Sequence, residues 1–114
     1  MEIKTIAIPE LQKKVFEVHT SIRNMKRMFA YQLAVAKVSD ELDDNDVVGQ
    51  ISASLKGLDE TLAFIRAILK LDDDAYEKLL DLDSERVQKI SEKITGHLLG
   101  LTDEQLEEVK GPKE

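Results

Sequence analysis

An acidic run shortly before residue 50 contains the residues whose spacing comes nearest to a metal site. A twelve-residue calcium loop would begin at Asp44, with Asp46 at its third position and Gly49 at its sixth. Its fifth position would then be Val48 and its twelfth Leu55, so two oxygen ligands, including the bidentate carboxylate, would be missing. We therefore predict no metal site and interpret these carboxylates as helix caps and solvating groups.

The other candidates for catalysis are two isolated histidines, His19 and His97. Neither belongs to an HExxH motif, and the chain has no Cys that would complete a zinc site. No GxSxG motif supports a catalytic serine, and the five glycines match neither GxGxxG nor the P-loop. We predict no catalytic, cofactor-binding or metal-binding residue, and we expect that the protein is not an enzyme.

Length and charge limit the classes of protein to consider. The chain has 114 residues and a formal net charge of −7, and one domain is expected at this length. The charge is uneven, since residues 1–38 carry seven Lys or Arg against three acidic residues, whereas residues 39–114 carry nine against twenty. Nucleic acid is not an expected partner of so acidic a chain. With no membrane-length apolar run and no signal-peptide pattern, we expect a cytoplasmic protein without a membrane partner.

Two long apolar stripes with helical spacing dominate the sequence. The first consists of Leu11, Val15, Val18, Ile22, Met25, Phe29, Leu33 and Ala36. The second consists of Val48, Ile51, Leu55, Leu58, Leu62, Ile65 and Leu69. Steps of three and four residues place each set on one face of a helix. We favour a buried second stripe in the central helix of a bundle; the alternative is a self-association seam or a groove for a partner helix.

The N-terminal segment has two interpretations. Residues 1–9 contain weakly alternating, β-branched residues that predict a short strand, and Pro9 suits the first turn of a helix over about 10–38. In the alternative, Lys14–His19 form a second strand, which makes a hairpin, and the helix begins at Thr20 or Ser21. We favour the continuous helix.

The rest of the chain predicts further helices after an acidic connector at 39–46. Asn45 or Asp46 is expected to cap the first of them, and Asp83 or Ser84 to cap a later one. These helices are predicted at about 46–70, 72–81, 84–99 and 103–110, with a tail at 111–114. The predicted fold is mainly α: a bundle of four to five helices in a single domain over 1–110, with a short N-terminal strand or hairpin.

A basic cluster with neighbouring Met and aromatic residues is the main candidate for contact with a partner, because such side chains adapt to varied surfaces. Met28 and Tyr31 lie beside the first stripe rather than on it, so we expect them to be accessible. Met25 and Phe29 lie on the stripe, so we expect them in the core. The predicted partner-binding residues are Lys26, Arg27, Met28, Tyr31, Leu55 and Leu62.

The order of these segments resembles the tail assembly chaperones of long-tailed phages that infect Gram-positive bacteria. The likeness is carried by the sequences at 58–65, 69–83 and 98–108, which include Leu-Asp-Glu-Thr-Leu-Ala-Phe-Ile and Leu-Leu-Gly-Leu-Thr-Asp-Glu-Gln. It implies a small acidic phage or prophage protein that holds the tape-measure protein in the host cytoplasm during virion assembly. Many such proteins also have a longer form made by ribosomal frameshifting; Gly111-Pro112-Lys113 can be encoded by a slippery run, although other codons encode it equally well. The resemblance assigns no functional residue.

Two hypotheses follow for the function. The first is a non-enzymatic tail assembly chaperone that binds a helical client such as the tape-measure protein and also self-associates, with the basic first third of one copy guided to the acidic last third of another. The alternative is a helical adaptor or regulatory protein, antitoxin-like or weakly DNA-binding, which the basic segment at 23–27 would support.

Overall fold

A computed structural model describes residues 2–40 and 46–100 of the chain. Over these residues the protein is mainly helical, with a two-stranded antiparallel hairpin at its N-terminal end, which confirms the predicted fold class. In chain order the elements are β1 (Ile3–Ile6), β2 (Phe16–His19), α1 (Ile22–Asp40), α2 (Val47–Leu69), α3 (Asp73–Leu80) and α4 (Ser84–Leu98).

The prediction of one continuous helix over 10–38 is wrong in its first half, where the alternative hairpin is found. β1 and β2 pair with Ile3 opposite His19 and Ile6 opposite Phe16. Phe16 and Val18 are buried while Glu17 between them is exposed, which is the two-residue alternation of a strand. This segment was predicted as helix because residues 15 and 18 also fit the three- and four-residue steps of helical spacing.

The loop between the strands begins with a turn at Pro9 rather than with a helix. The backbone amide of Leu11 donates to the carbonyl of Ile8 at 2.9 Å, which closes a turn with proline at its second position. This turn lets Ile8 and Leu11 point into the protein, where both are buried.

An ion pair fastens the same loop to α4. The Arg86 guanidinium donates from Nε to one oxygen of Glu10 at 2.8 Å and from Nη2 to the other at 3.0 Å. These hydrogen bonds hold the pKa of the Glu10 carboxyl below its ordinary value and raise the pKa of Arg86. The contact joins residues 76 positions apart, so it helps to fix the hairpin against α4.

The hydrophobic core lies where the hairpin, the start of α1, the end of α2, α3 and α4 meet. We call this part of the molecule the body. Its buried apolar residues include Ile6, Ile8, Leu11, Phe16, Val18, Met28, Phe64, Ile65, Ile68, Leu69, Leu71, Ala75, Leu79, Val87, Ile90, Ile94 and Leu98.

Aspartates cap three of the helices, and those of α2 and α4 are among the caps that the sequence predicted. Asp46, Asp72 and Asp83 each accept a hydrogen bond from the amide three residues later, at 3.0, 2.9 and 2.8 Å respectively. Each therefore satisfies an amide that has no partner within its helix. The bounds of α2, α3 and α4 agree with the predicted ranges to within one residue.

Some predictions fall beyond what the structure covers. The helix at 103–110 and the tail at 111–114 lie outside the described residues. The assignment of 1–110 to a single domain stays a prediction. Among residues 2–40 and 46–100, no helix combines the length and apolarity needed to cross a bilayer.

Candidate functional site

The far half of α1 and the near half of α2 form a helical hairpin that extends from the body. We call residues 29–40 and 46–60 the arm. The last buried residue of α1 is Met28 and the first buried residue of α2 is Thr61. None of the described residues of the arm is buried, so the arm has two paired helices but no core of its own.

A hydrogen-bonded aromatic contact marks the base of the arm. The ring of Tyr31 stacks on Phe64 with centroids 4.4 Å apart and planes inclined by 3°. Thr61 donates its hydroxyl to the carbonyl of Gly57 at 2.9 Å, so the 3.0 Å contact between the hydroxyls of Tyr31 and Thr61 has Tyr31 as its donor. The inner face of the arm continues outward with half-buried, mostly small residues: Ala34, Val38, Gly49, Ala53 and Gly57.

Each helix of the arm carries an apolar stripe on its outer side. We call Phe29, Leu33 and Ala36, together with Ile22 at the start of α1 outside the arm, the α1 flank, and we call Val48, Ile51, Leu55 and Leu58 the α2 flank. All eight side chains are exposed. At 100° per residue, each flank lies about 150–180° around its helix from the inner face. The two flanks therefore point to opposite sides of the arm.

The prediction that the whole second stripe is buried is wrong for its first four residues. Val48 is 74% exposed and Leu55 60% exposed, whereas Ile65 and Leu69 are buried. The physical reason is that the hairpin, α3 and α4 all pack near the end of α2. Of the described elements, α1 alone accompanies the start of α2, and it meets the inner face instead of the apolar stripe.

The predicted accessibilities of Met28 and Phe29 are also wrong: Met28 was expected at the surface and Phe29 in the core, and the structure shows the reverse. Met28 is fully buried and Phe29 is 51% exposed, because α1 is turned by one residue from the orientation that the first stripe predicts. Buried Asn24 helps to fix this orientation by donating from Nδ2 to the carbonyl of His19 at 2.9 Å. Met28 thus belongs to the core, and Tyr31 is half-buried.

The other predicted partner-binding residues differ in their accessibility. Lys26, Arg27 and Leu55 are exposed, whereas Leu62 is half-buried and packs against the core. Arg27 donates to Asn24 Oδ1 at 2.9 Å and lines a shallow groove at the base of the arm. This groove is also lined by Arg23, Lys70 and His19, so cations cluster at the base of the arm.

The residues considered for metal binding and catalysis make structural contacts. Asp46 caps α2, and the fifth position of the calcium-loop alignment, Val48, is an exposed part of the α2 flank. His97 is buried and donates from Nε2 to the carbonyl of Thr5 at 3.2 Å, since that oxygen can only accept. His19 Nε2 lies 3.3 Å from a carboxylate oxygen of Glu17. Within the described ranges, no group of three or more His, Cys, Asp or Glu is arranged to hold a metal ion.

Comparison with known proteins identifies the family of the chain. No curated protein and no solved structure matches the chain. The family model described as "Phage tail assembly chaperone proteins, TAC" matches residues 1–113, which is nearly the whole sequence. The chain therefore belongs to the phage tail assembly chaperone proteins.

Proposed function

We propose that this protein is a non-enzymatic chaperone that holds a helical client, such as the tape-measure protein, in the host cytoplasm while the phage tail is built. The family to which it belongs is in general non-enzymatic. The observation that carries the proposal is the arm, whose two outer flanks are apolar and exposed.

The apolar flanks of the arm are better suited to contact with a client helix than to exposure to water. Monomeric proteins rarely expose a continuous apolar stripe, and one that they do expose often marks a binding site. The α2 flank repeats at steps of three, four and three residues, which is the spacing with which an amphipathic helix packs against another helix. A client helix laid along Val48, Ile51, Leu55 and Leu58 would bury this stripe.

Charge at the base of the arm would orient the client. Lys26 and Arg27 are exposed beside the α1 flank, and Tyr31 and Leu62 line the edge between the arm and the body. These cations lie on the opposite side of the arm from the α2 flank, so carboxylates of the client would reach them only where the client continues around the base. Exposed pairs of this kind contribute about 1 kcal/mol or less each. Many weak contacts of this kind give binding that is easily reversed, as a chaperone that leaves the finished tail requires.

The test is co-expression with the tape-measure protein of the same phage. Leu55→Ser in the arm and Leu80→Ser in α3 remove leucines that are both exposed, so neither substitution opens the core. We expect Leu55→Ser to weaken client binding about tenfold, which corresponds to the loss of one buried leucine contact, and Leu80→Ser to leave it unchanged. Equal binding by both variants and the unaltered protein would show that the α2 flank is not the client site.

A further inference from the structure

We propose that the body carries a second docking site, at which β2 accepts an extended acidic segment of another protein as a third strand of the hairpin. This inference goes beyond the proposed function, which concerns the arm and a helical client. It rests on the unpaired edge of β2, on the cations beside that edge and on the backbone conformation of Lys70.

One edge of the hairpin has no strand beside it. Among the described residues the sheet consists of β1 and β2 alone. The amide of Thr20 donates to the carbonyl of Glu2 at 2.8 Å, so every second residue before Thr20 also turns its backbone groups towards β1. The backbone groups of Glu17 and His19 therefore point to the other side, which we call the open edge. Asn24 confirms this orientation, because its Nδ2 reaches the carbonyl of His19 from that side.

The outer edge of β1 is occupied differently. Thr5 lies opposite Glu17 in the sheet, so its carbonyl points away from β2. Buried His97 of α4 donates to this carbonyl at 3.2 Å. The side of the sheet at β1 thus already has a partner in α4, whereas the open edge presents the N–H and C=O of Glu17 to an added strand.

A groove along the open edge gives an extended segment room to bind. We call it the edge groove; it has a volume of about 650 Å³, and its lining includes Glu17 of β2 together with Ile68 and Leu69 at the end of α2. The shallow groove at the base of the arm continues it, because His19 and Lys70 line both. A segment in the edge groove would contact β2 through its backbone and the end of α2 through its side chains.

Charge favours an acidic occupant. Lys14 lines the edge groove before β2, and Arg23 and Lys70 line its continuation beyond β2. All three side chains are exposed, and none forms an ion pair with another described residue. Glu17 is the carboxylate of the edge groove, and it lies 3.3 Å from His19 Nε2. Carboxylates near both ends of a bound segment would therefore meet cations that lack a partner within this chain.

Lys70 has a backbone conformation that glycine adopts more easily. It ends α2 with φ 56° and ψ 50°, and it is the one non-glycine residue with a positive φ within residues 2–40 and 46–100. Glycine is the usual residue at such a helix end because a Cβ is strained there. Residues in strained conformations cluster at binding sites. Here the strained residue supplies the ammonium group where the two grooves join.

Fluorescence anisotropy with labelled peptides tests the site. The probe is a short peptide that alternates threonine and valine and carries glutamates at both ends. One control probe has lysines in place of the glutamates, and another has N-methyl groups on every second amide, in both alternating positions, so that it cannot donate to β2. We expect the acidic probe to bind saturably, the lysine probe to bind about tenfold more weakly, and the N-methylated probe to lose binding.

Each other result has a defined meaning. Equal binding of the acidic and lysine probes would refute the charge assignment, and equal binding of the acidic and N-methylated probes would refute strand addition. Failure of the acidic probe to bind would refute the site. Tighter binding of a thymidine oligonucleotide than of the acidic probe would contradict a peptide as the occupant.

Substitution of Glu17 tests strand addition from the side of the protein. Glu17→Pro removes an N–H that points away from β1, so no hydrogen bond between β1 and β2 is lost. Glu17→Gln is the matched control, since it removes the same charge and keeps the N–H. We expect Glu17→Pro to abolish binding of the acidic probe and Glu17→Gln to preserve it; equal binding by both would contradict the proposal. If circular dichroism shows that Glu17→Pro unfolds, the N-methylated probe decides the question on the unaltered chain.

Substitution of Lys70 separates binding from stability. We expect Lys70→Gly to weaken binding of the acidic probe severalfold and to raise the urea midpoint, because glycine relieves the left-handed strain. Lys78→Gln removes an exposed lysine that lies outside both grooves and should leave binding unchanged. Unaltered binding by Lys70→Gly would contradict the role of this residue. Leu55→Ser in the arm should bind the probe normally, so failure of this site is distinguishable from failure of the client site.

Discussion

The bidentate pair between Arg86 and Glu10 is a charged contact that fixes the hairpin loop to α4. Both side chains are about one-third exposed, so water screens much of their attraction. The geometry is nevertheless favourable, because both carboxylate oxygens receive a guanidinium N–H. The lowered pKa of Glu10 shows that the folded state favours its ionised form.

This pair predicts a pH-dependent contribution to stability. A carboxyl whose pKa is lowered by folding stabilises the protein above its unfolded pKa, and this contribution disappears as the pH falls through the folded value. We expect Glu10→Gln to lower the free energy of unfolding by up to about 1 kcal/mol at pH 7. The difference should shrink below the ordinary value of 4.5. Urea unfolding at several pH values measures it, with Glu77→Gln in α3 as control; a difference independent of pH would contradict the assignment.

The exchange of Met28 and Phe29 shows what spacing leaves undecided at the level of single residues. Two sets of residues in α1 follow helical spacing, one through Met25 and Phe29 and the other through Asn24, Met28 and Tyr31. The first is more apolar, yet the second faces the core, with Asn24 and Met28 buried and Tyr31 half-buried. It contains an asparagine whose burial requires the carbonyl of His19, and that carbonyl is in place only because the hairpin precedes α1.

At the scale of secondary-structure elements, the two glycines of α2 lie in different surroundings. A Cβ on Gly49 would lie 2.7 Å from a carboxylate oxygen of Asp46, so glycine leaves room for the cap of α2. A Cβ on Gly57 would meet nothing within 4 Å. Glycine in a helix costs about 1 kcal/mol relative to alanine, and at Gly57 no packing contact offsets that cost.

Alanine substitutions at these two positions should therefore change stability in opposite directions. We expect Gly57→Ala to raise the free energy of unfolding by about 0.5–1 kcal/mol, since it stiffens the arm without a clash. Gly49→Ala should lower it by up to about 1 kcal/mol, because displacing the side chain of Asp46 from its capping position costs up to about 2 kcal/mol and the helix propensity that alanine adds recovers only part of this loss. Urea denaturation followed by circular dichroism measures both; a stabilising Gly49→Ala would contradict the role assigned to the cap.

Local signals predicted the later elements well, and long-range pairing explains the failure earlier in the chain. The caps at Asp46, Asp72 and Asp83 follow from residue type and position, so the bounds of α2, α3 and α4 were predictable. The hairpin depends on pairing between residues 3–6 and 16–19 across a loop. Each strand has four residues, so its signal in the sequence is weaker than that of the helical spacing, which continues through β2.

Over the whole molecule, the decisive feature is the separation of the body from the arm. The sequence predicted two amphipathic helices, but the length over which each would be covered depends on where the hairpin, α3 and α4 pack. These elements gather at the end of α2 from Thr61 onward and leave the α2 flank exposed. The exposed flank was among the alternatives that the second stripe allowed, and only the tertiary arrangement distinguishes it from a buried seam.

Hydrogen exchange with and without the tape-measure protein tests the central claim that the arm receives the client. The chain is used unaltered, and amide protection is compared between residues 47–60 of the arm and residues 84–98 of α4. We predict that the client slows exchange in the arm by tenfold or more and leaves α4 unchanged. Protection that appears in α4 while the arm exchanges as before would contradict this account.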